Sequence, residues 1–296
     1  MFRLLALLLL MPLAACATTS ATPPAAAFTS DRIGVTVVGS GPDVVLIPGL
    51  SSEPQVWQST IAAVPGYRYH LIHVSGFAGR PAGANASGPV LIPVAEEIAR
   101  YIREARLDRP AVVGHSMGGS WAMLVAGRNP GLVGKVMVVD MMPFLGGMFG
   151  GPAATAESVR PIAEQLRTML GSASGEMRRQ QITQTIATMV RTESLRPGVV
   201  AQSLASDPAV AAQGFYDLIV TDIRPDLAKI RVPLTVLWVY PPGAPISEAQ
   251  MSQYYRLSYA GVPGAVIRRI PDSYHFIMLD QPEAFQRELR TFLTGP

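Results

Sequence analysis

The sequence predicts an α/β fold: a mostly parallel β-sheet with helices on both faces and an inserted helical cap. Short β-rich runs alternate with amphipathic helical stretches along most of the chain, and crossover connections of this kind produce parallel strands. One long segment breaks the alternation, which indicates an insertion. With 296 residues, of which 49% are hydrophobic and 15% charged, the chain can bury one such core and is too apolar to be disordered.

Short runs rich in β-branched residues mark the predicted strands, beginning at Ile33. Turn residues and helical segments separate them, as expected for buried strands that alternate with helices. In chain order the runs are GVTVVGS, DVVLIPG, YRYHLIHVSG, PAVVGHS, GKVMVVDM, PLTVLWVY and AVIRRIP.

Apolar residues at helical spacing mark the predicted helices between these runs. Trp57, Ile61 and Val64 follow the second run, and SWAMLVAGRNP follows the fourth and stops at Pro130. Three further helical segments are IPVAEEIARYIREARL, SEAQMSQYYRLSYAG and PEAFQRELRTFL. Helices between successive parallel strands are expected to cover both faces of the sheet.

Residues 145–223 lack a run with strand character and are predicted to form the inserted helical cap. The segment begins with the glycine-rich LGGMFGGPAAT and continues as helical pieces, so it divides the core into residues 32–144 and 224–296. Its methionines could line an adaptable apolar pocket, but methionine at helical spacing more often fills a core, and core filling is the favoured interpretation. These methionines are Met148, Met169, Met177 and Met189.

The N-terminus has the layout of a secretory signal. Arg3 precedes an apolar stretch that is too short to span a bilayer comfortably, and small residues follow it. Leu13 to Cys16 resembles the lipobox of bacterial lipoproteins, in which cleavage precedes a cysteine that becomes lipidated. The resemblance implies a signal peptide over residues 1–15, lipidation of Cys16, a flexible tether over 16–31, and a membrane-anchored protein in a bacterial cell envelope, facing the periplasm or the outer surface. The alternative is an ordinary signal peptide with an incidental cysteine.

Charge and composition exclude several classes of partner. Lys and Arg number 24 against 21 Asp and Glu, and no Lys/Arg run of the phosphate-binding kind occurs, so no nucleic-acid partner is expected. Neither a metal-ligand cluster nor a nucleotide-binding fingerprint is apparent, so neither a metal nor another cofactor is expected. Cys16 is the only cysteine, and the chain therefore cannot form an internal disulfide.

GHSMG, residues 114–118, fits the Gly-x-Ser-x-Gly pattern of a nucleophile elbow. A serine on a tight turn between a strand and a helix needs neighbours without side chains two positions away on each side. The pattern follows the PAVV run and opens a helix, which is the context it requires. Ser116 would then lie at a helix N-terminus, where backbone N–H groups favour a developing negative charge. A tight turn without chemistry is the alternative.

These features resemble the α/β-hydrolase superfamily, and more closely its cap-bearing members of the esterase and haloperoxidase type. The resemblance extends from about Ile33 to Phe292. It implies the α/β-hydrolase fold for the core and a catalytic triad whose nucleophile, acid and histidine follow one another in that order along the chain.

His275 best fits the family's histidine. His70 and His73 precede Ser116 and have the wrong order, and His115 lies inside the elbow. His275 stands in IPDSYHFIMLDQPEAF, between the last predicted strand and the last helix, which closely resembles the family's histidine loop. A structural histidine is the alternative at this position.

Two carboxylates are candidates for the acid of the triad. In many family members an aspartate follows the seventh strand of the family's order, here PLTVLWVY, but the PPGAPISEAQ that follows contains none. Other members use the position after the sixth strand, which Asp140 occupies at the end of KVMVVD. Asp140 is therefore the predicted acid. Glu248 is the reserve, although a first-turn helix residue is stabilising for dipole reasons alone.

The oxyanion hole of such a site needs two backbone N–H donors. The resemblance implies Met117, immediately after the nucleophile, as the first. The second is expected from the loop after DVVLIPGL, which resembles the family's His-Gly-x turn with Pro48 in the place of the histidine. Leu50 is the expected donor there, and Ser51 is a nearby substitute.

The sequence thus predicts a serine hydrolase that cleaves a carboxylic ester, or a related acyl bond, of a small molecule through an acyl-enzyme. A serine at the elbow argues against the family's dehalogenases and epoxide hydrolases, whose elbow carries aspartate. Amide, lactone, thioester and carbon–carbon bond cleavage stay open, as do the acyl and leaving groups and the oligomeric state. The alternative is a membrane-tethered binding or accessory protein that has lost catalysis on the same scaffold, a reading that rests on the missing acid after the seventh strand.

Overall fold

The structure is a computed structural model that describes residues 28–151, 153–241, 243–244 and 246–295. The predicted signal peptide over 1–15, Cys16 and most of the tether over 16–31 lie outside the described residues. None of the helices within the described ranges combines the length and the apolar character that crossing a membrane requires.

A seven-stranded sheet forms the centre of the protein. In spatial order its strands are β1 (Ile33–Gly39), β3 (Arg68–Val74), β2 (Asp43–Ile47), β4 (Ala111–His115), β5 (Lys135–Val139), β6 (Leu234–Trp238) and β7 (Val266–Arg269). Only β1 runs antiparallel to its neighbour, and every other pair is parallel. The predicted α/β class with a mostly parallel sheet is therefore confirmed.

Core helices cover both faces of this sheet. On one face lie α2 (Leu91–Glu104), α3 (Met117–Arg128) and α10 (Glu248–Ser258), and on the other lie α1 (Gln58–Ala63), α11 (Ile277–Asp280) and α12 (Pro282–Thr294). Successive strand residues alternate between the two apolar clusters: Val112 packs on one side and Val113 on the other. Strands buried on both faces are continuous apolar runs, as the sequence of β4 is.

The segment between β5 and β6 is helical where the structure describes it, and no strand occurs in the described part of 145–223. Its helices are α4 (Gly147–Gly150), α5 (Arg160–Ser172), α6 (Gly175–Met189), α7 (Arg196–Ala205) and α8 (Pro208–Val220), and the short α9 (Arg224–Leu227) follows. Asp217 of α8 ties this segment to the core, because its buried carboxylate accepts hydrogen bonds from the Val90 and Leu91 amides at the start of α2.

Candidate active site

Ser116 lies on the sharp turn that joins β4 to α3. Its backbone has φ 54° and ψ −125°, a conformation that non-glycine residues rarely adopt. The flanking glycines make the turn possible, because a Cβ on Gly114 would collide with the Gly118 carbonyl and a Cβ on Gly118 would collide with the Ile47 carbonyl. The glycine spacing of the motif is therefore a steric requirement of this turn.

Asp140 and His275 are hydrogen-bonded to each other. Asp140 follows β5 directly, and His275 lies on the loop between β7 and α11. The His275 Nδ1 and Asp140 Oδ2 atoms are 2.6 Å apart, with side-chain exposures of 21% and 11%. Because a carboxylate only accepts, Nδ1 carries the proton, and Nε2 is left as the ring's basic atom.

The second oxygen of Asp140 has two donors of its own. The Val239 amide, just beyond β6, donates to Oδ1 at 3.2 Å, and the Tyr255 hydroxyl donates to it at 3.0 Å. Tyr255 is buried on α10 and stacks on Trp238. Burial, followed by the charge of Asp140, raises the pKa of Tyr255 well above its ordinary value, so the phenol stays a hydrogen-bond donor.

Glu248, the reserve candidate for the acid, makes no hydrogen bond or ion pair with His275 within the described residues. It begins α10 on the protein surface and pairs with Arg269, with Oε1 and Nη1 3.0 Å apart. Ser247 and Gln250 form a capping box around it. Glu248 thus has the helix-stabilising position that its sequence context indicated.

The predicted oxyanion donors lie next to the nucleophile. A Cβ added to Gly49 would come within 2.8 Å of the Ser116 Cβ, so the loop that carries Leu50 approaches the elbow closely. Within the described ranges, neither the Leu50 amide nor the Met117 amide donates to a protein acceptor. Both N–H groups are therefore available to a carbonyl oxygen bound beside Ser116.

His115 connects the elbow to the loop of His275. Its Nε2 donates to the His275 carbonyl oxygen at 3.0 Å, and the two rings lie 4.7 Å apart between centroids. Nδ1 has no partner in the part of the chain that the structure describes. Full burial lowers the pKa of His115 well below its ordinary value. His70 and His73, on β3, bond to Asp43 and to the Phe77 carbonyl instead.

A cavity of about 830 Å³ opens above the elbow. Ser116, His275 and Leu50 line it from the core, and Met148, Met169 and Met189 line it from the 145–223 segment. Ser116 Oγ makes no hydrogen bond to His275 within the described residues, although both side chains face this cavity; such contacts often tighten only when a substrate is bound.

Met177, the remaining methionine of that segment, is 64% exposed and does not line the cavity. Three of the four methionines thus line the cavity, and the core-filling interpretation is wrong for these three. The described residues also contain no group of three or more His, Cys, Asp or Glu side chains arranged to hold a metal ion.

The sequence did not indicate two contacts of this site: the hydrogen bond from Tyr255 to Asp140 and the hydrogen bond from His115 to the His275 carbonyl. The helical pattern of SEAQMSQYYRLSYAG predicts α10, but it does not indicate which of its tyrosines meets the acid. That pairing depends on the position of α10 against the end of β5, which periodicity does not encode.

Comparison with known proteins identifies the family. A family model described as "Alpha/beta hydrolase family" matches residues 44–288, most of the chain. The chain belongs to this family. The sequence-based resemblance to α/β hydrolases is therefore confirmed, and the observed sheet is the sheet of the α/β-hydrolase fold.

Individual α/β hydrolases show what kinds of protein it is similar to. It is 26% identical over 254 residues to a pimeloyl-(acyl-carrier protein) methyl ester esterase from Pectobacterium carotovorum, which covers 84% of this chain and 93% of that protein. Among solved structures, an esterase from Exiguobacterium antarcticum superposes with a TM-score of 0.74 at 19% identity, covering 89% and 96% of the two chains. A bromoperoxidase from Bacillus anthracis gives 0.73 at 18%, covering 89% and 95%.

Proposed function

We propose that this α/β hydrolase is a serine hydrolase that cleaves a carboxylic ester of a small molecule through an acyl-enzyme. The observation that carries the proposal is the hydrogen bond between His275 and Asp140 beside a cavity that Ser116 also lines. The full-length similarity to a methyl ester esterase favours an ester over the other acyl bonds. An alkoxide also leaves more easily than an amine.

In the proposed first half-reaction, the Ser116 oxygen attacks the ester carbonyl and its proton moves to Nε2 of His275. Asp140 stabilises the imidazolium that forms, because Oδ2 already accepts from Nδ1. The Leu50 and Met117 amides donate to the carbonyl oxygen as it becomes negative. Collapse of the tetrahedral intermediate expels the alcohol, which takes the proton from Nε2.

In the second half-reaction, a water molecule gives its proton to Nε2 of His275 and attacks the acyl-enzyme. The tetrahedral intermediate again has its negative oxygen beside the Leu50 and Met117 amides. Its collapse releases the carboxylic acid and returns the proton to the Ser116 oxygen. The enzyme thus regains its starting state, and one water molecule is consumed in each cycle.

A fluorophosphonate probe tests the proposal, because it reacts covalently with an activated serine. We expect the wild-type protein to be labelled and to hydrolyse simple methyl or p-nitrophenyl esters, and Ser116→Ala to lose both properties. Ser120→Ala is the matched control: Ser120 lies on the same helix α3, is buried, and does not line the cavity. A wild-type protein that is neither labelled nor active on esters would favour the accessory-protein alternative.

The proposed cellular setting is a bacterial envelope membrane to which lipidated Cys16 anchors the enzyme. Its support is the lipobox-like sequence that ends at Cys16. Fractionation of cells that express the full chain tests it: the wild type is expected with the membranes, and Cys16→Ser in the aqueous fraction or unprocessed. A wild-type protein that already partitions into the aqueous phase would contradict the anchor.

A further inference from the structure

Among the described residues that line the cavity, Arg178 is the one lysine or arginine. Asp140, His275 and the buried His115 are the other acidic or basic side chains of this lining. Asp140 is hydrogen-bonded to His275, so the negative charge of Asp140 is engaged within the site. Arg178 lies on α6 and has no carboxylate within ion-pair distance in the described part of the chain.

Arg178 is held in place by backbone carbonyls only. Its Nη1 donates to the Leu204 carbonyl at 3.0 Å, and its Nη2 donates to the carbonyls of Ser203 at 3.1 Å and Ser206 at 2.7 Å. These groups end helix α7, and the partial negative charge of a helix C-terminus offsets only part of a full positive charge. Because a guanidinium has five N–H donors, the Nε–H and one Nη1–H are left for a ligand.

Helix α6 relates this cation to the reacting groups. The Met189 carbonyl, at the C-terminal end of α6, accepts from the Phe276 amide next to His275 at 3.2 Å. Arg178 and Met189 are both on the cavity side of α6, and the rise of a helix puts about 16 Å between their Cα atoms along its axis. The cation is therefore remote from the His275 end of the helix.

The charged and amide side chains of the α6 lining lie at the Arg178 end. Gln181 lies one turn from Arg178 and also faces the cavity, and its amide adds donors beside the guanidinium. Toward His275 the lining of α6 is mainly apolar, with Ile182, Ile186 and Met189, and the small hydroxyl side chains of Thr185 and Thr188 lie between them. A ligand that matches this lining has an apolar body and a hydrogen-bond acceptor at its far end.

We propose that the substrate is an ester with an apolar body and a remote anionic group, such as a carboxylate, and that Arg178 binds this anion. The inference rests on the proposed ester hydrolysis at Ser116 and names the class of substrate for that same cavity. The charge requirement follows from desolvation: a carboxylate that enters an apolar cavity loses its hydration, and a charge-assisted bond to a guanidinium compensates for it.

A pair of matched esters measures the preference. One probe is the monomethyl ester of a straight-chain dicarboxylic acid, and the other is the methyl ester in which a methyl group replaces the free carboxylate; both are tested over a range of chain lengths. We expect wild-type kcat/KM to favour the anionic ester by about tenfold or more at the chain length that reaches Arg178. A wild type that favours the neutral ester at every length would overturn the inference.

Variants of α6 assign the preference to one side chain. In Arg178→Gln we expect the ratio of the two kcat/KM values to reverse in favour of the neutral ester, and in Arg178→Lys to be partly kept. Arg179→Gln is the control, because Arg179 is 62% exposed and does not line the cavity. An anionic preference that Arg178→Gln retains would overturn the inference. If Arg178→Gln is unfolded, Arg178→Lys decides: a reduced anionic preference supports the inference, and an unchanged preference overturns it.

The anion could belong to the acyl part or to the alcohol part of the ester, and a second pair of probes distinguishes them. In these probes a short acyl group esterifies an ω-hydroxy carboxylic acid or the matching neutral alcohol. The pair of probes with the larger Arg178-dependent preference shows whether the anion belongs to the acyl part or to the alcohol part. If neither pair shows such a preference, the inference is overturned.

Binding without turnover separates this inference from the proposed function. In a Ser116→Ala background, the anionic ester should raise the melting temperature more than its neutral partner, and Arg178→Gln should remove that difference. An equal rise with both esters overturns the anion site. Absence of labelling and hydrolysis in the wild type would instead contradict the hydrolase proposal while leaving this binding result interpretable.

Discussion

Asp140 receives hydrogen bonds from three separate parts of the chain: His275, the Val239 amide and Tyr255. Such a carboxylate has a fixed orientation, because both oxygens are engaged. The backbone of Asp140 is in the left-handed region, with φ 52°, which is a further sign that the surrounding structure determines its position. The geometry favours Asp140 over Glu248 as the acid of the proposed triad.

Replacement of these two carboxylates distinguishes their roles. We expect Asp140→Asn to lower kcat by about 10⁴-fold, because an amide that presents its NH₂ to Nδ1 stabilises the wrong tautomer of His275. Glu248→Gln should change kcat little, because Glu248 pairs with Arg269 and not with His275. Loss of that exposed ion pair should lower stability by about 1 kcal/mol or less. Steady-state hydrolysis of one ester by both variants checks this. A larger loss in Glu248→Gln would move the acid to Glu248.

The sequence could predict the residues of the site better than their contacts. Ser116 follows from the glycine spacing, and the structure explains that spacing by close approaches of backbone to Gly114 and Gly118. The preference for Asp140 over Glu248 also came from the sequence, but the hydrogen bonds of Asp140 to Val239 and Tyr255 could not be predicted from it. Arg178 could not be found from the sequence either, since one more arginine in a polar helical segment has no distinguishing signal.

At the scale of elements, helix α10 holds the Asp140 loop in place through two tyrosine hydroxyls. Tyr255 donates to Asp140, and Tyr259, one turn later, donates to the Met141 carbonyl in the next residue of the same loop. Both rings are buried, so the helix is fixed against the end of β5 at two points. The chain just beyond β6, where the sequence analysis found no aspartate, contributes the Val239 amide as a donor to Asp140. Helix α10 thus stabilises a carboxylate that follows β5 rather than β6.

Tyr255→Phe tests this support, because it removes the hydroxyl and keeps the ring on Trp238. We expect kcat to fall roughly tenfold, the effect of losing one hydrogen bond to a charged group. In an Asp140→Asn background the same change should have little further effect, as two residues of one network are not additive. Tyr259→Phe is the control for loss of a buried hydroxyl. Equal effects of Tyr255→Phe in both backgrounds would mean that Tyr255 acts independently of Asp140.

The sequence predicted which segments are strands and which are helices, but it did not predict how these elements pair and pack. Short runs rich in β-branched residues indicated the strands, because a strand buried on both faces is continuously apolar. Apolar residues at helical spacing indicated the main core helices. The antiparallel pairing of β1 with β3 has no such signal, since direction depends on the connection rather than on the pattern. The same holds for the face that α6 turns to the cavity, where polar Gln181 and apolar Ile182 both line it.

For the whole molecule, the sheet determines which distant residues can meet. Ser116, Asp140 and the loop of His275 follow the carboxyl ends of β4, β5 and β7, and parallel strands bring these ends to one edge. The helices of the 145–223 segment close the cavity over that edge. Chain order and motif could therefore predict the meeting of Asp140 with His275, whereas the shape and charge of the cavity depend on helix packing.

Buried histidines also make the stability of the whole molecule depend on pH. Desolvation lowers the pKa of His70, and it lowers the pKa of fully buried His115 much further, with a contribution from His275. The folded state therefore keeps these rings neutral where the unfolded chain already binds protons, below about pH 6.5. Stability from this source is present above that pH and is lost as the pH falls.

Urea denaturation at a series of pH values tests this dependence. Between about pH 6.5 and 5 we expect the free energy of unfolding to fall with a slope of up to about 1.4 kcal/mol per pH unit for each such histidine. Asp217 has the opposite sign, because burial raises its pKa and its protonation therefore favours the folded state once the pH falls toward that pKa. His115→Gln should flatten the curve relative to the wild type, since it removes the more strongly shifted group. Parallel curves for the two proteins would mean that His115 does not contribute to the acid sensitivity of the fold.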